Sequence, residues 1–189
     1  MPEKDQIAES KPAELWAVFC GDINAGNIAT FVKGVTQVGT QASHLHILFQ
    51  SWGGFVGDAV FLYNSLRKFP AEITLYNAGQ VASAATVAYL GAPRRKTTAN
   101  AIFMIHKAAS STNAAGVNRL KAVAANLDMD DIRMENILRA HLRLPDELWT
   151  QFLYHDVYLS GEDAVEYGLA DSIGEFSPPR GTKVLNALG

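Results

Sequence analysis

Ser83 lies within Asn77-Ala78-Gly79-Gln80-Val81-Ala82-Ser83-Ala84-Ala85, a stretch whose residue types suit nucleophilic chemistry. Before it, Ile73-Thr74-Leu75-Tyr76 reads as a short buried strand, and after it Ala84 to Leu90 reads as a small, apolar, buried helix. A hydroxyl at such a junction projects from a sharp turn. The first amides of the new helix, beginning with that of Ala84, have no partner inside it and face outward. Nucleophile and anion-binding amide then come from neighbouring residues, the logic of a serine hydrolase elbow. On this stretch alone a plain helix cap is the commoner use of a serine, so the rest of the chain has to decide.

Three further positions bear on it. Gly53 and Gly54 follow the strand His44–Gln50 and precede a helix, where glycine permits positive φ and leaves the amides bare. The amides of Gly54 and Ala84 together would bind an oxyanion, although a lone glycine pair also makes a simple tight turn. His106 ends the apolar run Ile102-Phe103-Met104-Ile105, and imidazole is the usual proton acceptor for a serine hydroxyl near neutral pH. Asp156 sits among Val157, Tyr158 and Leu159, where a charge is costly unless paired. A histidine N–H is a fitting partner, since it fixes the tautomer and steadies the imidazolium. An ordinary loop aspartate is the plainer alternative. Of the other histidines, His155 is a weaker rival base, and His141 reads as lying on the solvated face of a long helix. His44 and His46 alternate on one strand face, but no Cys or carboxylate adjoins them in sequence, so surface residues or core caps fit better than metal ligands.

The elements that must position these groups alternate. Strands are expected at Leu15–Cys20, His44–Gln50, Ile73–Asn77, Ala101–His106 and Leu169–Ile173, with an extended stretch at Tyr154–Leu159. Helices are expected at Ala25–Val38, Val56–Phe69 (stopped by Pro70), Ala84–Leu90, Asn118–Leu142, Pro145–Leu153 and Ser160–Tyr167, the last with Ser160 and Asp163 as a capping box. Arg94-Arg95-Lys96 reads as a polar loop and Ser110–Gly116 as irregular. Strands alternating with helices imply right-handed βαβ units and a largely parallel sheet. Ligands of such sheets gather beyond the strands' carboxyl ends, where Gly53-Gly54, Ser83 and His106 all fall. Residues 1–14 read as a flexible arm, 15–176 as one domain and 177–189 as a Pro/Gly tail.

Composition narrows the class. The 189 residues are 48% hydrophobic and 19% charged, as in a soluble globular protein, and the net charge of −3 gives no case for nucleic acid or an anionic membrane. No secretory h-region opens the chain, and no apolar run reaches the roughly 18 residues of a membrane span, so a cytoplasmic protein is expected. The single cysteine, Cys20, rules out an internal disulfide and reads as a buried structural thiol.

These residues resemble the proteolytic subunit of the Clp protease, the ClpP family, from about Leu15 to Ile173. Ser51-Trp52-Gly53-Gly54 stands for the family's S-P-G-G, Gly79-Gln80-Val81-Ala82-Ser83 for G-Q-A-A-S and Met104-Ile105-His106 for M-I-H. Asp156-Val157-Tyr158-Leu159-Ser160 followed by Ala164–Ile173 is close to D-R-F-L-S and A-V-E-Y-G-L-V-D-S-I. The resemblance implies an α/β, crotonase-like (ClpP/crotonase) fold of repeated β-β-α and βαβ units with a protruding long helix. It implies a serine endopeptidase with nucleophile Ser83, base His106, orienting acid Asp156 and oxyanion amides Gly54 and Ala84. Peptide or unfolded protein would lie extended along Gly53, Phe55 and Val56, with no metal or organic cofactor. The implied assembly is a homo-oligomeric ring, hexameric or heptameric and open to stacking, with the long helix against neighbouring subunits. Trp52 replaces the family proline, which implies a bulkier groove. Lys107-Ala108-Ala109-Ser110-Ser111-Thr112 replaces the glycine-rich extension that helps pair two rings. With an N-terminal segment unlike the family's axial loops, these departures weigh against a double ring and an AAA+ ATPase partner. Two alternatives stand beside this reading: a catalytically silent ring subunit, and an acyl-CoA enzyme of the wider crotonase superfamily, which would use carboxylates in place of the Ser–His pair.

Overall fold

Near-continuous apolar runs such as Leu45–Phe49 suit strands covered on both faces, and they become the middle of a parallel sheet. The computed structural model describes residues 13–39 and 42–188; the expected N-terminal arm lies outside them from residue 1 to 12. Strands β1 (Ala13–Cys20), β2 (Ala42–Gln50), β3 (Glu72–Asn77), β5 (Arg94–Thr97), β8 (Ser172–Ile173) and β9 (Val184–Asn186) form a sheet in the order β8-β5-β3-β2-β1-β9. Every pairing in it is parallel. Strands β4 (Gln80–Ala82), β6 (Ile102–Ile105) and β7 (Val157–Ser160) form a second, smaller sheet, parallel between β4 and β6 and antiparallel between β6 and β7.

The crossovers that join β1, β2, β3 and β5 run through α1 (Ala25–Gly39), α2 (Val56–Leu66) and α3 (Ala84–Tyr89). Every residue of α3 is buried, as expected for a helix with no polar face. Phe19, Phe49 and Phe31 anchor the main core, with Phe19 and Phe49 stacked at 4.8 Å and Phe19 and Phe31 edge-on at 5.4 Å. The long helix α4 (Val117–His141) buries only Met134 and Leu138 fully and leaves Val117, Leu120, Met129 and Ile132 exposed. Helices α5 (Asp146–Phe152) and α6 (Gly161–Glu166) complete the chain, and the expected capping box of Ser160 with Asp163 is present. Among the described residues no helix is long and apolar enough to cross a membrane.

The structure corrects several expectations. Arg94-Arg95-Lys96 is not a loop but most of β5, because its charges find partners: Arg94 pairs with Glu72 at 2.7 Å and Arg95 with Asp171 at 2.8 Å. The segment expected as a Pro/Gly tail supplies β9, whose Ala187 amide donates to the Val18 carbonyl just beyond the strand. The strand expected over Leu169–Ile173 shortens to Ser172–Ile173. Cys20 is exposed, because strand alternation turns Phe19 inward and ends β1 on the opposite face. His141 is half-buried, with Nε2 2.9 Å from the Tyr63 hydroxyl; desolvation, then the Arg95 and Arg67 charges, lower its pKa.

His44 and His46 stack on each other at 4.0 Å, and His46 also stacks on Trp16 at 4.1 Å. His46 Nδ1 lies 2.9 Å from the Tyr76 hydroxyl, while Nε2 is buried with no hydrogen-bond partner among the described residues. Burial, aided by His44, lowers the pKa of His46 from 6.5 to about 4. An unfolded chain takes up this proton near pH 6.5 and the folded one only near 4, so stability falls on acidification across that window. His44 and His141 shift in the same direction and add to the effect. We predict that His46→Phe, which keeps an aromatic ring and cannot titrate, flattens the dependence of the urea midpoint on pH between 6.5 and 4.

Candidate functional site

Ser83 occupies the junction between β4 and α3 with φ 56° and ψ −132°, the only non-glycine residue with positive φ among those described. Its side chain makes no capping bond to α3, so the plain N-cap role does not hold. The backbone closes the first turn instead: the Thr86 amide donates to the Ser83 carbonyl at 3.0 Å and the Thr86 hydroxyl to the same oxygen at 2.6 Å. That leaves the Ser83 hydroxyl free of the helix. The junction is laced from both sides, with the Ser83 amide donating to the Met104 carbonyl (2.7 Å) and the Ala82 amide to the Ser51 carbonyl (2.9 Å). A residue outside the allowed regions persists only where its surroundings over-determine it.

Gly53 and Gly54 are where side chains are forbidden. Gly53 has φ 106°, and a Cβ there would stand 2.7 Å from the Ser83 Cβ. Gly54 has φ 148°, and a Cβ there would overlap the Ile23 carbonyl. The Ile23 amide donates to the Gly53 carbonyl and the Phe55 amide to the Ile23 carbonyl, each at 2.8 Å. In a parallel bridge of this kind the middle residue turns its own N–H to the other side, so the Gly54 amide is not spent on Ile23. The Ala84 amide, in the first turn of α3, has no intrahelical partner.

His106 follows β6 directly, and its Nε2 lies 2.6 Å from Ser83 Oγ. Its Nδ1 lies 3.8 Å from Asp156 Oδ1, beyond a hydrogen bond, and the Asp156 carboxylate is half exposed just ahead of β7. The three side chains thus converge, with one tight contact and one loose one. His155 makes no hydrogen bond to Ser83; it lines, with His106, Asp156, Phe152 and Tyr154, a cavity of about 150 Å³. Phe55 and the neighbouring Trp52 are among the most exposed large apolar side chains described, and Val56 opens α2 half-buried. Among the described residues no group of three or more His, Cys, Asp or Glu is arranged to hold a metal.

Sequence reasoning missed Ser51 and Thr86. Ser51 is buried, and its hydroxyl accepts the Gly53 amide at 3.1 Å. Thr86 is the one aliphatic hydroxyl in α3. A threonine amid small apolar residues in a buried helix was the legible signal, since its hydroxyl needs an acceptor nearby.

A family model described as Clp protease matches residues 19–177. The chain is 29% identical over 131 residues to ATP-dependent Clp protease proteolytic subunit 2 of Streptomyces coelicolor, covering 68% of this chain and 60% of that one. It is 29% identical over 131 residues to the proteolytic subunit 4 of Streptomyces avermitilis, covering 68% and 58%. The chain thus spans about three fifths of the length of these relatives. Among solved structures, an Asn-to-Asp mutant of ClpP1 from Listeria monocytogenes superposes with a TM-score of 0.72 at 21% identity, over 85% of this chain and 91% of that one. The fold is therefore the crotonase-like α/β fold of ClpP, as the sequence motifs imply.

The two glycine environments predict opposite outcomes. Gly54→Ala should lower the melting temperature by several degrees, because its Cβ has no room against Ile23. Gly57→Ala, near the start of α2 with nothing within 4 Å of the added carbon, should stabilise by about 0.4–1 kcal/mol. Thermal denaturation of the pair against the parent chain checks both.

Proposed function

Because this chain belongs to the Clp protease family, we propose that it is a serine endopeptidase that cleaves peptide or unfolded protein chains, with Ser83 as nucleophile. The observation that carries the reading is the 2.6 Å approach of His106 Nε2 to a serine hydroxyl held out from a strained turn. Ser83 Oγ attacks the peptide carbonyl as His106 Nε2 takes its proton, and His106 returns that proton to the leaving amine. Water then attacks the acyl-enzyme by the same route in reverse. The tetrahedral oxyanion of each step is held by the amides of Gly54 and Ala84, each donor lowering the barrier by about 3–4 kcal/mol.

Asp156 orients the imidazole through its Nδ1–H. At 3.8 Å and half exposed it holds the ring loosely at rest, and catalytic contacts commonly tighten when substrate is bound. Substrate backbone runs extended beside Gly53, Phe55 and Val56, adding a strand to the rim of the site. The exposed Trp52 and Phe55 favour apolar substrate side chains there. The exposed apolar residues of α4 support burial against further copies of the chain in a homo-oligomeric ring.

A fluorophosphonate probe should label the protein at Ser83, and Ser83→Ala should abolish the labelling. His106→Ala should slow both labelling and peptide hydrolysis by about 100- to 10,000-fold, and Asp156→Asn by less, given its looser contact. A folded parent chain that the probe never labels would overturn the peptidase reading.

A further inference from the structure

The tight contact of the site depends on where His106 is held, and Asp156 does not hold it closely. The chain leaves β6 at His106 and runs without helix or strand through residues 107–116. Its first two residues are tied to one face of α4. The Lys107 ammonium donates to Glu135 Oε2 at 2.7 Å and lies 4.0 Å from Asp131 Oδ2. The Ala108 amide donates to Asp131 Oδ1 at 2.6 Å. Asp131 and Glu135 are four residues apart, so both carboxylates project from the same side of the helix. Three of these groups, Lys107, Asp131 and Glu135, are about three-quarters shielded from solvent.

The clamp is itself braced. Lys107 Nζ lies 5.2 Å from the Phe152 ring centre, over a fully buried side chain. The other Glu135 oxygen accepts from Arg139 Nε at 2.8 Å, and the Arg139 guanidinium stacks 4.0 Å above Trp149. The hydrogen bond from Lys107 holds the Glu135 carboxyl below the usual carboxylate range, with Arg139 adding to it and burial opposing. Glu135 is therefore ionised throughout the neutral range. Charge-assisted bonds shielded in this way are stronger and more directional than exposed ion pairs.

We propose that Asp131 and Glu135, acting through Lys107 and the Ala108 amide, are positioning residues that set the reach of His106 to Ser83. They touch neither substrate nor the reacting atoms. Their task is to fix the backbone one and two residues past the base, so that the imidazole cannot swing away from the hydroxyl when Asp156 is loose. This rests on the peptidase reading of Ser83 and His106.

The test compares Lys107→Met, Glu135→Gln and the conservative Lys107→Arg with the parent chain. The rate constant of fluorophosphonate labelling is measured on folded protein, with circular dichroism giving the folded fraction. Labelling should slow by about 10- to 100-fold in Lys107→Met and Glu135→Gln, the range expected when a catalytic group is misplaced by an ångström or so. Lys107→Arg should recover most of the parent rate. Parent-like labelling in both charge-removing variants, or a loss that merely tracks the unfolded fraction, overturns the proposal. If the parent chain is not labelled at all, the peptidase reading falls, and the NMR signals of the His106 ring judge the clamp alone. Displacement of those signals in Lys107→Met and Glu135→Gln but not in Lys107→Arg supports it; unmoved signals in the charge-removing variants overturn it.

Discussion

A serine forced to positive φ is the constraint on which the site rests. A conformation of this kind costs on the order of 1–3 kcal/mol, so it needs a scaffold that leaves the chain no other path. Here the path is closed by hydrogen bonds from three directions: Ser83 to Met104 on β6, Ala82 to Ser51 at the end of β2, and Thr86 back onto the Ser83 carbonyl. The glycine at 53 completes the fit by leaving no Cβ where the serine's own Cβ must sit. The hydroxyl is the one part of Ser83 that this lacing does not use.

Packing supplies the stiffness behind those bonds. α3 is buried on every side, and its Tyr89 hydroxyl, itself buried, donates to the Lys96 carbonyl of β5 at 2.6 Å. Arg95 gathers the carbonyls of Leu90, Ala92 and Leu169 and pairs with Asp171, so the loop after α3 is stapled to the chain that follows α6. The small sheet formed by β4, β6 and β7 then brings the ends of three strands together, one leading to Ser83, one to His106 and one starting after Asp156. Convergence of the three side chains follows from strand pairing and not from their spacing along the chain.

Much of this was legible in the sequence, for identifiable reasons. Long apolar runs and small-residue helices carry strong periodic signals, and α1, β2, α2, β3 and α4 lie close to where they were expected. The buried helix after Ser83 was visible in its run of small apolar residues, but the strand leading into it was misplaced: the pattern points to β3 as the strand before the serine turn, whereas the three-residue β4 of the second sheet intervenes. What failed were elements whose signal lies elsewhere in the chain. β5 is written in arginine and lysine, and partners that include Glu72 and Asp171, distant in sequence, make those charges tolerable in a strand. β9 is three residues long, and it exists because β1 offers an edge. Cys20 and His141 were misplaced for the same reason, since which face they take depends on neighbours that no local pattern reveals.

The most direct measurement is a crystal structure of the protein after reaction with a peptidyl fluorophosphonate. A covalent bond from Ser83 Oγ to phosphorus, with the phosphoryl oxygen within hydrogen-bonding distance of the Gly54 and Ala84 amides and His106 beside the ester oxygen, is the predicted result. An adduct on another side chain, or one on Ser83 whose phosphoryl oxygen points away from both amides, would contradict it.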